Sequence, residues 1–324
     1  MKKSVLHEIK NEQMGDVLLA GVFDGHAGTA ASETASSILP PLFTQALQSV
    51  SIREALERSW DITCDTYRNG CDENGECVAD YDPIQGILYA ETGSTDVFGK
   101  SFQLLAKNAF YPTASHSIAL PSKCNHEVAG CTATIAAIAM NPSGTNELTI
   151  LNCGDSRTLV VGEPTSPDDS GNSFVTFETR DHSPDDELEI ERLVQGRAAG
   201  LDYSIPQCYD FTTSGSFMRI DQFQYALCRS LEGSYVTSKG IVSDADVTTL
   251  NLSSSLADRR DCALVLACDG LFEVMSNEEV GREVVRLRQE GYKAGDVAKN
   301  LCGQALKKGS YDNLSVLVVY LDDA

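Results

Sequence analysis

The sequence has little positive charge. Its 324 residues include 25 Lys plus Arg against 47 Asp plus Glu, which gives a formal net charge of −22. Nucleic acids and anionic lipid surfaces are bound by clustered Lys and Arg, so we expect neither nucleic acid nor a membrane surface as a partner. The excess of carboxylates fits either a solvated acidic surface or carboxylates gathered around bound cations, and the charge alone does not choose between them.

Cysteine pairs and long apolar runs are lacking as well. The eleven cysteines include no Cys-x-x-Cys motif, and cysteines scattered through apolar segments are typical of a reduced, intracellular protein. Cys64, Cys71 and Cys77 lie close together in polar sequence, and we interpret them as loop thiols. No uncharged apolar run approaches ~18 residues, and the first residues contain no apolar signal-peptide core. We therefore expect an intracellular protein, cytoplasmic or nuclear, without membrane insertion.

What the sequence does contain is a series of short apolar runs bounded by turn residues. The runs at 17–23 and 262–268 each stop at an Asp-Gly turn, as buried strands do when they enter a tight turn. Further strands are predicted at 131–140, 147–153, 158–161, 174–178 and 314–321. Helices are predicted at 29–37, 52–67, 185–195 and 295–307, and after a capping box made by Ser276 and Glu279. Pro40-Pro41 should end or kink the first of these helices.

These elements occur in blocks and do not alternate strictly, which favours an α+β fold with antiparallel sheets and covering helices over a doubly wound sheet. Residues 69–128 lack sustained periodicity, and we interpret them as an elaborated loop insertion. The stretch 197–223 is predicted to be irregular. Because neither a repeat nor a low-complexity linker divides the chain, we expect a single domain over residues 1–324.

Four aspartates share one context. Asp24, Asp155, Asp269 and Asp312 each lie beside an apolar strand, in or next to a turn that contains Gly or Asn. Carboxylates that converge on one site repel one another and raise each other's pKa unless cations lie between them. Oxygen ligands of this kind suit Mg²⁺ or Mn²⁺ better than Zn²⁺. Taken singly, each Asp-Gly is also an ordinary turn, so a structural role stays open for each of them.

The order of six motifs resembles the metal-dependent protein phosphatase family, the type 2C Ser/Thr phosphatases. The motifs run in the family's order between residues 17 and 321: Val22-Phe23-Asp24-Gly25-His26-Ala27-Gly28, Gly154-Asp155-Ser156-Arg157, Asp181-His182-Ser183-Pro184, Ala226-Leu227-Cys228-Arg229-Ser230, Ala267-Cys268-Asp269-Gly270-Leu271-Phe272 and Ser310-Tyr311-Asp312-Asn313-Leu314. The resemblance implies a sandwich of two antiparallel β-sheets flanked by α-helices. It also implies a phosphatase that uses Mg²⁺ or Mn²⁺ to hydrolyse phosphoserine and phosphothreonine in protein substrates, and we expect it to be a monomer.

The same resemblance implies roles for individual residues. Asp24 is similar to the carboxylate that bridges two metal ions, the carbonyl of Gly25 to a ligand of the second ion, and Asp269 and Asp312 to ligands of the first. Asp155 is similar to the ligand of a third, weaker site. His26 resembles the general acid that protonates the leaving serine or threonine oxygen. Asp24 and His26 are thus the expected catalytic residues.

The sequence departs from the family pattern at its N-terminal side. Family members carry a phosphate-binding Arg and a Met-Glu-Asp segment about twenty residues before the Asp-Gly-His turn, and counting back from Asp24 reaches Met1 without either. We expect the strand that carries them to be missing, with Glu8 and Glu12 too close to the turn to replace the glutamate. Lys2 or Lys3 is a candidate phosphate ligand.

A second departure is Glu232-Gly233, which stands where the family has Gly-Asp. Two hypotheses follow from the departures. The favoured one is an active phosphatase, represented by an incomplete gene model or a fragment. The alternative is a pseudophosphatase that keeps the fold and binds a partner. A calcium-binding module built on the acidic insertion is a weaker third possibility, because the insertion lacks the spacing of a calcium loop.

Overall fold

The computed structural model describes residues 2–11, 15–69, 129–140, 147–165, 173–208, 216–221 and 223–321. The predicted insertion therefore lies outside the described residues except for its first residue, and so do Cys71, Cys77 and Glu12. Cys64, in contrast, is buried on a helix, so its interpretation as a loop thiol is wrong. No helix in these ranges is long and apolar enough to cross a membrane.

The secondary structure contains the predicted strands and helices, with some additions. The strands are β1 (Lys2–Ile9), β2 (Asp16–His26), β3 (Gly130–Met140), β4 (Glu147–Cys153), β5 (Arg157–Pro164), β6 (Val175–Glu178), β7 (Gln207–Cys208), β8 (Ser216–Ile220), β9 (Phe223–Tyr225), β10 (Asp246–Asn251), β11 (Arg259–Ala267) and β12 (Val316–Tyr320). The helices are α1 (Ala30–Ala46), α2 (Ile52–Asn69), α3 (Glu187–Ala198), α4 (Ser234–Ser238), α5 (Leu252–Ser255), α6 (Asp269–Phe272), α7 (Asn277–Gln289) and α8 (Ala294–Lys307).

Within the described ranges the strands form three sheets. One has five strands in the order β1-β2-β3-β4-β10, the second has four in the order β12-β11-β5-β6, and the third joins β7, β8 and β9. The pairings β1–β2, β3–β4 and β4–β10 are antiparallel, and so are β11–β12, β11–β5 and β5–β6. This confirms the predicted α+β fold with antiparallel sheets.

The described residues fall into two compact units. The sheet unit comprises 2–24, 133–180 and 246–324, and the helix unit comprises 25–132 and 181–245. The prediction of one catalytic domain over residues 1–324 stays a prediction.

The sheet unit has two apolar layers because its strands bury alternate residues on opposite faces. One layer lies between the five-stranded and four-stranded sheets and includes Val22, Ile138, Ile150 and Leu264. The other lies between the four-stranded sheet and α7 and α8. Ser276 and Glu279 form the predicted capping box at the start of α7. The result is a sheet sandwich with a helix layer on one outer face.

The helix unit contains α1 and α2. An apolar cluster in the same unit includes Leu193, Met218 and Val236. α1 continues through Pro40 and Pro41 to Ala46, so the prediction that these prolines end the helix is wrong. A proline in a helix interior removes a backbone hydrogen bond. Here Ile38, Leu39, Leu42 and Phe43 on the same turns are buried, and their burial offsets that loss.

The prediction that the sheet loses its N-terminal strand is also wrong, although the strand found there contains neither the family's Arg nor its Met-Glu-Asp segment. β1 pairs with β2 in a register that runs from Lys2 opposite Asp24 to Ile9 opposite Val17. It lies at the edge of its sheet, where polar and charged residues are common, and its sequence therefore contains no apolar run. The stretch predicted to be irregular contains β7, β8 and the first residue of β9.

Candidate metal and catalytic site

Three of the predicted aspartates come together in the sheet unit. Asp24 lies near the end of β2, Asp269 begins α6 and is separated from the end of β11 by one residue, and Asp312 lies in the turn before β12. Because Ala267 at the end of β11 pairs with Val316 at the start of β12, antiparallel pairing carries Asp269 and Asp312 to the same end of the four-stranded sheet.

The three carboxylates converge on the side chain of Lys2. The Lys2 Nζ atom lies 2.6 Å from Asp24 Oδ2, 2.9 Å from Asp269 Oδ1 and 2.7 Å from Asp312 Oδ2. Only 4% of the Lys2 side chain is exposed, against 13% for Asp24, 31% for Asp269 and 38% for Asp312. We call these four residues the Lys2 cluster. It contains three carboxylates and one ammonium group around a single cation position.

The loops that carry Asp269 and Asp312 are tied to each other. Ser310 Oγ donates to the carbonyl of Gly270 across 2.8 Å, and the Ser315 amide donates to Cys268 Sγ across 3.3 Å. A Cβ atom on Gly270 would lie 3.1 Å from Asp312 Cβ, so the absence of a side chain at Gly270 permits this close approach. The two carboxylates are therefore held in place by contacts other than the ammonium group.

The electrostatics of the cluster reflect its excess of acidic groups. Burial raises the pKa of Asp24 to about 7, with a further increase from Asp269, although the Lys2 charge acts in the opposite direction. Burial would also raise the pKa of Asp269, but the charge and hydrogen bond of Lys2 lower it below its ordinary value. For Lys2, burial would lower the pKa, yet Asp269, Cys268 and Asp24 together raise it. Lys2 therefore stays protonated.

The residues of the cluster fit a divalent cation. The ammonium group shows that oxygens from three aspartates can reach one cation, and ligand atoms of Asp24, Cys268 and Asp269 lie within 4.8 Å of one another. Burial raises the pKa of the Cys268 thiol, which disfavours the thiolate that a soft metal would require. The remaining donors are carboxylate oxygens, which suit Mg²⁺ or Mn²⁺.

Other predicted site residues have less defined roles. Asp155 lies half-buried between β4 and β5, and Gly25 follows Asp24 in β2; their roles as ligands stay predictions. Glu8 pairs with Leu18, six residue pairs from Asp24 or about 20 Å along the strand, so it does not replace the family's glutamate. The Lys2 ammonium group is held by three carboxylates, and a role for it as a phosphate ligand stays a prediction.

His26 is the last residue of β2 and belongs to the helix unit, where it contacts Glu232. Its Nε2 atom donates to Glu232 Oε1 across 2.5 Å, and Ser230 Oγ donates to the same oxygen across 2.5 Å. The Glu232 side chain is fully buried, whereas 28% of the His26 side chain is exposed. The Tyr225 ring packs edge-on to the His26 ring with centroids 6.0 Å apart.

Sequence reasoning missed the roles of Lys2 and Glu232. Lys2 is an ordinary charged residue in a polar segment, and its contact with Asp269 spans 267 positions. Glu232 stands out in the sequence only as a departure from the family pattern. A signal for it was present, since a glutamate next to Leu231 and close to Leu227 and Cys228 needs a polar partner if it is buried.

Comparison with known proteins supports the motif resemblance. The sequence profile of the family described as protein phosphatase 2C matches residues 91–314. Protein phosphatase 1B of Mus musculus is 29% identical over 198 residues, which is 59% of this chain and 43% of that protein. Protein phosphatase 1A of Homo sapiens is also 29% identical over 198 residues, or 44% of its length. The chain thus spans less than half the length of these curated relatives.

Solved structures show the same fold. The crystal structure of serine-threonine phosphatase 2C from Toxoplasma gondii superposes with a TM-score of 0.60 at 17% identity, covering 98% of this chain and 94% of that one. A Caenorhabditis elegans sex-determining protein superposes with a TM-score of 0.57 at 17% identity, covering 99% and 64%. At such identity the likeness shows the fold alone, while the profile match extends over more than half of the sequence. The chain belongs to the protein phosphatase 2C family.

Proposed function

We propose that this protein is a Mg²⁺- or Mn²⁺-dependent protein serine/threonine phosphatase. The observation that supports this most directly is the convergence of Asp24, Asp269 and Asp312 on one cation position in a member of this family. Phosphorylated proteins are the proposed substrates, and we propose that the protein acts as a monomer.

Each aspartate has a role in the proposal. Asp24, Asp269 and Asp312 would hold the first cation, and Asp24 with the Gly25 carbonyl would hold the second. Asp155 would belong to a weaker third site. When bound, divalent cations supply a water of lowered pKa and offset charge on the phosphoryl oxygens. None of these side chains has to form a covalent bond with phosphorus.

His26 would move the proton that the leaving group needs. A serine or threonine alkoxide is a poor leaving group, so proton donation to its oxygen assists cleavage. Since Glu232 accepts from Nε2, the proton would leave from Nδ1, and the Nε2 hydrogen bond would keep the ring in place throughout.

The test is hydrolysis of a phosphothreonine peptide by protein dialysed against EDTA. We expect turnover to return with millimolar Mg²⁺ or Mn²⁺, because a site that keeps several water ligands binds hard cations only modestly. Asp269→Asn should not respond to added metal. Turnover that persists in EDTA would contradict the metal-dependent mechanism.

A second candidate function is that of a pseudophosphatase, which binds a partner without turnover. The specific observation in its favour is that the Lys2 ammonium group already satisfies the three carboxylates. Calorimetric titration with Mn²⁺ beside the activity assay separates the two candidates: binding with turnover supports the phosphatase, and absence of both supports the pseudophosphatase.

A further inference from the structure

The Lys2 cluster places a lysine where the proposed function requires a metal ion. The ammonium nitrogen lies 2.6 to 2.9 Å from the three carboxylate oxygens. Mg²⁺ binds such oxygens at about 2.0–2.1 Å, so a cation held by the same three oxygens would overlap the ammonium group. The lysine and the metal are therefore mutually exclusive at this position.

The position of Lys2 in the fold allows it to leave. β1 is an edge strand that pairs only with β2 among the described strands, and Lys2 is its first residue. The ammonium group is carried on a flexible four-carbon stem, which lets it move out without disruption of the β1–β2 pairing. Asp269 and Asp312 keep their places meanwhile, because Ser310 and Cys268 tie their loops.

We propose that Lys2 is a tethered counter-ion that occupies the first metal position until a divalent cation displaces it. Lys2 thereby sets the metal affinity of the protein. The inference rests on the proposed metal site but not on turnover. Lys2 raises the metal concentration that this chain requires, since each metal ion that binds must also displace a protonated amine.

The first experiment is calorimetric titration of Mn²⁺ into wild type, Lys2→Met and Lys3→Met. Methionine keeps most of the side-chain length and removes the charge, and Lys3 is the matched control because successive strand residues point to opposite faces. We expect Lys2→Met to bind the first Mn²⁺ at least ~10-fold more tightly than wild type and Lys3→Met. Equal affinity in all three proteins overturns the inference and leaves the proposed function intact; no binding in any of them overturns both.

The second experiment uses wild type alone and does not depend on the folding of a variant. Lysine acylation is followed by mass spectrometry with EDTA and with saturating Mg²⁺. Lys2, which is 4% exposed, should be protected in EDTA and labelled at least several-fold faster with Mg²⁺. Lys10, which is 74% exposed, should be labelled equally in both. Continued protection of Lys2 when calorimetry shows bound metal would overturn the inference.

An independent observation concerns Glu232. Its Oε1 atom receives hydrogen bonds from His26 and Ser230, while Oε2 has no hydrogen-bond partner within the described parts of the chain. Burying a carboxylate costs free energy. The Glu232 side chain is 0% exposed and contacts the His26 ring, and a buried carboxylate against a histidine is unusual outside functional sites. This suggests a task connected with His26.

The backbone around Glu232 is shaped to admit it. A Cβ atom on Gly130 would lie 2.2 Å from Glu232 Oε1, so an alanine there would push the carboxylate away. Backbone hydrogen bonds in both directions between Cys131 and Leu231 hold the two segments together. The absence of a side chain at Gly130 therefore leaves the space that the Glu232 carboxylate occupies.

We infer that Glu232 is a positioning residue for His26: it fixes the ring orientation and stabilises the protonated ring through Nε2. This inference rests on the proposed function of His26 as the general acid. It parallels the way in which a buried carboxylate orients the histidine of a catalytic triad. Gly130 contributes by leaving room for the carboxylate.

The test compares two substrates with different leaving groups. Glu232→Gln and Gly130→Ala should each lower turnover of a phosphothreonine peptide by ~10- to 100-fold, as expected for impaired general acid catalysis. Loss on an aryl phosphate should be much smaller, because its leaving group needs little protonation. His26→Gln sets the maximal effect, and Glu187→Gln, on an exposed residue of α3, is the control. Equal losses on both substrates, or no loss on the peptide, would overturn the role.

A spectroscopic measurement tests the contact without turnover. The ¹⁵N chemical shifts of the His26 ring, assigned by comparison with His26→Gln, report the proton on Nε2. We expect Glu232→Gln and Gly130→Ala to change them in the same direction, and Glu187→Gln to leave them unchanged. Unchanged His26 shifts in both variants would overturn the inference. If wild type hydrolysed neither substrate with metal, the proposed function and this role would fail together.

Discussion

Two ion clusters in this chain have opposite balances of charge. In the Lys2 cluster one ammonium group serves three carboxylates. In the helix unit, Glu189 receives two guanidinium groups: Arg192 Nε donates to one oxygen across 2.9 Å and Arg229 Nε to the other across 2.8 Å. Glu189 is fully buried. The first cluster has an excess of acid and the second an excess of base.

The carboxylates Glu189 and Asp24 have pKa values shifted in opposite directions, as the charge balance of their clusters predicts. Burial would raise the pKa of Glu189, but Arg229 and Arg192 lower it below its ordinary value. Burial and Asp269 instead raise the pKa of Asp24 to about 7. A carboxylate supplied with sufficient positive charge is suited to a structural role, whereas a carboxylate that lacks it favours exchange of its ammonium partner for a cation of higher charge. The same side-chain chemistry therefore stabilises the fold in one place and, in the proposed function, provides a cation-binding site in the other.

The largest effect that would test this contrast is expected from Asp269→Asn. The change removes a ligand charge and no core volume, so metal-dependent turnover should fall by more than the about 10- to 100-fold seen when outer partners of metal ligands are lost. The free energy of unfolding in EDTA should fall less than it does in Glu189→Gln, because Asp24 and Asp312 still pair with Lys2. Peptide hydrolysis and urea denaturation measure the two effects. A large loss of stability with normal turnover would reverse the assigned roles.

Glu189→Gln should show the opposite behaviour. It leaves two arginines without their carboxylate partner, and removal of one partner from a buried ion pair costs about 3 kcal/mol of unfolding free energy. Mn²⁺ affinity should stay unchanged. Denaturant titration and calorimetry test both statements, with Glu191→Gln on the exposed side of the same helix as the matched control. Weakened Mn²⁺ binding with full stability would show that Glu189 is not simply structural.

A smaller effect is expected from pH, and its sign should differ between the clusters. The lowered pKa of Glu189 means that its contribution to stability is present above its ordinary pKa of 4.5 and is lost as the pH falls below it. The raised pKa of Asp24 means that its contribution is present below 3.8 and is lost as the pH rises toward about 7.

In EDTA, the stability of wild type relative to Asp24→Asn should therefore decline between pH 4 and pH 7. The stability of wild type relative to Glu189→Gln should hold over that range and shrink in more acidic solution. Chemical denaturation at several pH values measures both differences. Parallel pH profiles for the two pairs would mean that the clusters are not distinct in kind.

Sequence reasoning succeeded where a residue's environment is local. The strand 147–153 was predicted with the bounds that the structure gives it, since a buried strand between turns has a continuous apolar run. β1 was missed because an edge strand is half solvated and shows no such run. α1 was expected to end or kink at Pro40-Pro41, because the burial of its apolar face, which allows it to continue, depends on tertiary packing.

The candidate site, like the fold, was predictable only where local sequence patterns mark its residues. Three of the four aspartates are marked in the sequence by strand-end turns and do converge. The residues that complete the site could not be found locally, because Lys2 meets Asp312 across 310 positions and His26 meets Glu232 across 206. Such pairings depend on the order of strands in the sheets, which no local pattern encodes.

The same sequence separation has a consequence in time. A ribosome adds about 5–20 residues per second, so the 310 positions between Lys2 and Asp312 correspond to about 15–60 s of synthesis. During that interval β1 and β2 can pair and bring Lys2 beside Asp24, while the other two carboxylates have not yet been made. The Lys2–Asp24 pair is then the earliest part of the site to form. The ammonium group offsets the negative charge of the Asp24 carboxylate before the rest of the site has been synthesised.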